Sequence, residues 1–232
     1  MVSFTPEEWT AILLSLRIAL VATLAVLPLA ILAAYVLARW KFPGRALLDG
    51  LLHLPLVLPP VVTGYLLLLA FGRKGAIGQF LYNTLGVTFS FRWTGAALAA
   101  AVMGFPLMLR AIRLSFEGID RRLEAAAGTL GANKFWTFLL VTLPLALPGI
   151  LAGATLCFAK ALGEFGATIT FVSNIPGETQ TIASSIYTYA QVPGGDAGAM
   201  RLMTVSIVIA LAALFLSEAI NRRTQARIAV FE

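Results

Sequence analysis

From Ala11 to Ala38 the sequence carries a single charge, Arg17. A helix needs about 20 apolar residues to cross the hydrocarbon core of a bilayer, so this stretch alone restricts the chain to folds that place helices in lipid. Four further stretches behave alike. Residues 47–71 hold only Asp49 and the lone histidine, His53; residues 93–109 are uncharged and continue past Arg110 and Arg113; residues 137–159 are uncharged, and so are residues 202–217. The sequence therefore predicts an all-α integral membrane protein with about five transmembrane helices, over about 11–38, 47–71, 93–116, 137–160 and 200–220. All belong to a single transmembrane domain, 1–232. Residues 163–195 are apolar in places but short-ranged and polar. An extension of the fourth helix, a re-entrant piece or a sixth span would each fit them.

Composition excludes the soluble alternatives. Charged residues make up 12% of the chain and hydrophobic residues 59%, against about 25% charged in an ordinary soluble domain. A surface so poor in charge has to face lipid. The net charge of +6 fits cytoplasmic loops and headgroups better than nucleic acid. The only cysteine, Cys157, permits no internal disulfide. The N-terminal residues lack a basic region and a cleavage signal, so the first apolar stretch is expected to be a retained helix.

Orientation follows from the basic residues, which favour cytoplasmic loops. With the N-terminus outside and the C-terminus cytoplasmic, 11 of the 17 Lys and Arg residues lie inside: Arg39, Lys41, Arg45, Arg110, Arg113, Arg121, Arg122, Lys134, Arg222, Arg223 and Arg227. Five (Arg73, Lys74, Arg92, Lys160, Arg201) lie on the other side. The reverse orientation would invert that bias.

Three regions break the apolar pattern in a way that bears on function. Pro55, Pro59 and Pro60 remove backbone donors from the second span, and freed carbonyls in lipid need partners. That helix either lines a water-filled path or is simply kinked. Pro144 and Pro148-Gly149 give the fourth span the same character near its start. Between the third and fourth spans, residues 118–136 include Asp120, a helix cap, then Arg121, Arg122, Glu124 and the triplet Ala125-Ala126-Ala127, broken by Gly128 and Gly131. A short helix with a flat alanine face can press into a groove on a partner; a charged inter-helix loop is the plainer reading.

The spacing in this segment narrows the choice. Ala125-Ala126-Ala127, three residues, Gly131, nine residues, Val141, one residue and Leu143-Pro144 resemble the EAA loop of ABC-importer permeases. In one respect the chain departs: the family's leading glutamate falls on Ala125, with Glu124 one residue early, which turns the carboxylate by about 100° around a helix. The stretches Phe42–Asp49, Leu52–Pro60 and Gly163–Thr179 are similar to molybdate permeases, and the similarity extends from about residue 9 to 222. This resemblance implies a type I ABC-importer permease fold and import of molybdate or tungstate across the inner membrane by alternating access. It also implies a second copy of the chain, two ATP-binding cassette subunits that hold ATP and Mg, and an external molybdate-binding protein. Sulfate is the related alternative cargo. On this resemblance the ATPase docks on Arg121, Arg122, Glu124, Ala125, Ala126, Ala127, Gly131, Leu143 and Pro144.

The residues themselves carry no catalysis. The phosphate-binding run Gly-x4-Gly-Lys-Ser/Thr is missing, so the chain is expected to bind no cofactor and to hydrolyse no ATP itself. One histidine assembles neither a metal cluster nor a catalytic triad. A membrane enzyme acting on lipids would need clustered acids or histidines, and a stand-alone secondary transporter would usually show an internal repeat; the flanks of the two proline-bearing spans do not repeat. Lys160 and Glu164 are spaced to pair on one helix face, and charges at membrane depth point to function, although snorkelling would explain them nearer the interface. The pathway candidates are Pro59, Pro60, Thr63, Glu164, Thr168, Thr170, Ser173 and Asn174. Their hydroxyls and amides would pass a dianion without holding it tightly.

Overall fold

A computed structural model describes residues 4–228; the two ends of the 1–232 domain expected from sequence lie outside the described residues. Those residues form helices joined by short loops, with no strand among them. The first helix, α1 (Pro6–Arg39), starts on a reciprocal cap: the Thr5 hydroxyl accepts from the Glu8 N–H and the Glu8 carboxylate accepts from the Thr5 N–H, with Pro6 at the first helical position. At 1.5 Å per residue it is about 51 Å long, well beyond the roughly 30 Å of hydrocarbon.

The stretch 47–71 is not one rod. It forms α2 (Arg45–Val57) and α3 (Pro60–Phe71), bent by 112°. The cause is the tandem proline. Each proline pushes the residue before it out of the α region, and Leu58 (φ −68°, ψ 144°) and Pro59 (φ −54°, ψ 134°) are both extended. Helix then restarts with Pro60 at its first position. A short exposed helix, α4 (Ala76–Leu85), leads to α5 (Trp93–Gly118). Beyond it come α6 (Arg121–Thr129), a turn of helix α7 (Lys134–Thr137), a π-helical turn (Phe138–Thr142), α8 (Leu143–Leu145) and α9 (Leu147–Leu162). Pro144 and Pro148 flank a 66° bend between the segment Lys134–Leu145 and α9. The chain ends in α10 (Gly166–Val172), α11 (Ile182–Ala190) and α12 (Asp196–Ile228). Three helices are long and apolar enough to span alone, and five spans result when each bent pair counts as one. Within 163–195, α10 and α11 are too short for a sixth.

Helix α5 is the centre of the bundle, with α1 on one side and α9 on the other. Its 18 most apolar residues are 72% buried, against 28% for α1 and 6% for α12. Small residues permit this. A Cβ on Gly104 would stand 2.6 Å from Cys157 Sγ, one on Gly153 would stand 2.9 Å from the Met108 carbonyl oxygen, and one on Gly149 would overlap Ser115. In lipid, helices associate by such close packing rather than by expulsion of apolar surface from water. One apolar cluster fills the Trp93 end of the bundle (Ile18, Ala22, Ala96, Ala100, Met103, Phe171) and a second fills the α6 end (Ala34, Leu37, Met108, Ile112, Phe116, Ile150).

Candidate docking segment and membrane pathway

Helix α6 projects from one end of the bundle. Asp120 caps it by accepting from the Arg122 N–H at 2.9 Å. Arg121, Arg122, Ala125 and Ala126 are exposed and Ala127 is half-buried. Gly131 terminates the segment at φ +89°, a conformation that a side chain would strain, and a Cβ there would touch nothing. Leu143 is half-buried and Pro144 exposed. The triplet and Gly131 therefore present a shallow, open surface.

Glu124, counted with the docking residues from the sequence, is half-buried and bonded to other elements. Its Oε1 accepts from Arg39 Nη2 at 3.0 Å and from the Thr142 hydroxyl at 2.9 Å. Arg39 also donates to the Ile119 carbonyl at 3.4 Å. Thr142 is 1% exposed, and the Arg39 and Glu124 side chains are 8% and 21% exposed. The reason is the shift by one position: a carboxylate at 125 would share the exposed alanine face, whereas at 124 it turns about 100° towards the end of α1. The carboxylate thus ties three elements, the last turn of α1, α6 and the π-helical turn preceding Leu143-Pro144. Arg39 and Glu124 line a groove of about 410 Å³ together with Tyr35, Arg121, Ala125 and Lys134.

A second polar cluster joins α2 to α5. Arg113 donates to Asp49 Oδ2 and to Glu117 Oε1, each at 2.8 Å. Arg45 stands 3.8 Å from Glu117, and His53 Nδ1 lies 2.8 Å from the Asp49 carbonyl oxygen. The Asp49–His53 and Arg113–Glu117 pairs are local i,i+4 spacings, whereas the Arg113–Asp49 pair spans 64 positions. Arg39 and Thr142 gave no sequence signal, because their partner lies far along the chain.

Most of the pathway candidates lie where α3 packs against α10 and the end of α9. Helices α3 and α10 pack backbone to backbone: a Cβ on Gly64 would overlap the Ala167 carbonyl and stand 2.9 Å from Thr170 Cβ, and one on Gly166 would stand 2.8 Å from Pro60 Cβ. Pro59 and Pro60 are exposed at the first break. Thr63, 5% exposed, has its hydroxyl buried without a hydrogen-bond partner. The junction between α9 and α10 holds Glu164, 2% exposed, whose Oε1 accepts from the Ala167 N–H at 2.9 Å and whose Oε2 lies 3.0 Å from Lys160 Nζ. Helix α9 stops at Leu162, so the pair bridges a helix end rather than one continuous helix face.

The hydroxyls do not form one open lining within a single chain. Thr168 is buried against the core, and the Thr170 hydroxyl donates to the Gly166 carbonyl at 2.8 Å, a local bond a helical threonine makes readily. Ser173 and Asn174 lie beyond the far end of α10. Ser173 is exposed at φ +67°, and Asn174 Nδ2 donates to the Thr188 hydroxyl at 2.8 Å.

Residues 26–229 match the family of binding-protein-dependent transport system inner membrane components. The chain is 59% identical to the molybdenum transport system permease protein ModB of Escherichia coli K12, over 96% of this chain and 97% of that one. It is 34% identical to the sulfate transport system permease protein CysT of Salmonella typhimurium, over 94% and 79%. Among solved structures, a bacterial ABC transporter that imports the acidic polysaccharide alginate superposes with a TM-score of 0.75 at 17% identity, covering 95% of this chain and 80% of that one. With its bent helix pairs, its projecting α6 and this agreement over almost its full length, the chain belongs to the binding-protein-dependent inner membrane components and has the permease fold of ABC importers.

Proposed function

We propose that this chain is the membrane-spanning subunit of an ATP-driven importer for molybdate, with tungstate as a cargo of the same shape and charge. The observation that carries the ATP-driven part is α6: a capped helix with an open alanine face, held to the bundle through the half-buried Arg39–Glu124–Thr142 clamp. Such a surface can transmit force from a partner because its anchor is stiff where its outer face is bare. The cargo follows from likeness, since 59% identity to a molybdenum permease stands against 34% to a sulfate permease.

In this reading two copies form the pathway and the N-terminus faces out. Two separate ATPase subunits, holding ATP and Mg, seat on Arg121, Arg122, Ala125, Ala126, Ala127, Gly131, Leu143 and Pro144. Glu124 positions that surface without being part of it. An external molybdate-binding protein docks at the opposite end, and ATP-driven closure of the ATPases moves each α6 and opens the bundle to the loaded binding protein. The permease supplies no catalytic group and needs no cofactor of its own. Reconstitution in vesicles with the partner ATPase and binding protein tests this. Molybdate uptake should require all three proteins and ATP; uptake by the chain alone, or ATP-dependent uptake of sulfate with molybdate ignored, would overturn it.

A further inference from the structure

Lys160 pairs with Glu164 of the same chain and yet keeps its side chain 30% exposed. Gly104, near the middle of α5, touches Cys157 of α9. Lys160 is three residues further along α9, or about 4.5 Å of helix rise, so its ammonium lies near the mid-depth of the bundle. Charges at that depth are rare and face a bundle interior or a water-filled cavity, not hydrocarbon. The two members of the ion pair are unequally enclosed: the Glu164 side chain is 2% exposed and the Lys160 side chain 30%. The carboxylate is also fixed by the Ala167 N–H, whereas the lysine rests on a flexible four-carbon stem with rotatable donors. One side of the pair is thus sealed and anchored, and the other is partly open. An exposed ammonium at this depth has to face a polar interior or water.

We propose that Lys160 is the residue that meets the oxyanion midway through the membrane, leaving Glu164 to contact the cargo and returning to it afterwards. This rests on the function proposed above. Two copies bring two such lysines, whose charges match a tetrahedral dianion. Competition from Glu164 keeps the contact weak, so the anion is released rather than trapped, and the resting pair is neutral when no cargo is present.

The complete transporter in vesicles provides the test. Lys160→Met should reduce molybdate uptake at least tenfold, and Lys160→Arg should retain more than Lys160→Met. The double variant Lys160→Met, Glu164→Gln removes both charges. If the lysine served only to neutralise Glu164, this double variant would recover wild-type uptake, and that result would overturn the proposal. Continued loss of uptake in a double variant that co-purifies normally with the ATPase supports it. The wild-type complex separates the two readings. If it carries sulfate, the cargo assignment fails and the same variants are scored on sulfate; if it transports without ATP, the importer reading fails while the variants still report on Lys160.

Discussion

Glu124 shows how one residue of offset changes a side chain's partners. Its displacement from the expected position was legible in the sequence; its destination was not, because Arg39 and Thr142 lie on other elements. Its Oε1 accepts two hydrogen bonds, one of them from a guanidinium 8% exposed. Hydrogen bonds to charged groups contribute about 1.5–3 kcal/mol, and stranding a buried partner costs more than replacing both. Glu124→Ala should therefore lower the stability of the purified permease by about 1–3 kcal/mol, read as the midpoint of thermal unfolding in detergent. In the assembled transporter it should leave ATP hydrolysis running while uptake falls, because α6 loses its tie to α1. Uptake per ATP equal to wild type would show that the clamp does not couple the two. Ala126→Arg, which alters the open face instead, should abolish co-purification with the ATPase without moving the unfolding midpoint, since Ala126 is exposed.

Helices were easier to foresee than their junctions. Hydropathy marks α1, α5 and α12 because each holds a long uncharged run. The prolines of 55–60 announce a break, but the 112° turn depends on two consecutive extended residues and on α10 offering Gly166 and Ala167 to receive α3. For α10 and α11 the signal failed altogether: helices of 7 and 9 residues with threonines and serines have neither the length nor the contrast that a hydropathy pattern needs. The glycines separate these cases experimentally. At Gly64 an added methyl would run into the backbone of Ala167, with Ala167 Cα at 2.8 Å, so Gly64→Ala should destabilise by about 1–3 kcal/mol through overpacking. At Gly50, inside α2, nothing lies within 4 Å of the added atom, so Gly50→Ala should be neutral or stabilising by up to about 1 kcal/mol, the ordinary helical preference. Equal effects at the two positions, measured by thermal unfolding in the same detergent, would contradict the close α3–α10 junction.

At the scale of the molecule, α4 and α6 occupy opposite ends of the bundle, because the 26 residues of α5, about 39 Å of rise, lie between the loops that carry them. Which end faces the cytoplasm is a question of charge. The α6 end gathers Arg39, Arg45, Arg110, Arg113, Arg121, Arg122 and Lys134, whereas α4 and its flanks carry Arg73, Lys74 and Arg92. Basic residues in short loops are retained on the cytoplasmic side, so the charge distribution predicts α6 inside and α4 outside. Single cysteines decide this directly. The native Cys157 is fully buried, which makes Cys157→Ala a suitable background and leaves little thiol to react even without it. Asn83→Cys on α4 and Ala126→Cys on α6 both replace exposed residues. In intact cells with a permeable outer envelope, a membrane-impermeant maleimide should label the cysteine at 83 and should reach the one at 126 only after the inner membrane is opened. The opposite pattern would turn the molecule over. It would place the alanine face of α6 on the side without ATP, and the ATP-driven importer reading would fall with it.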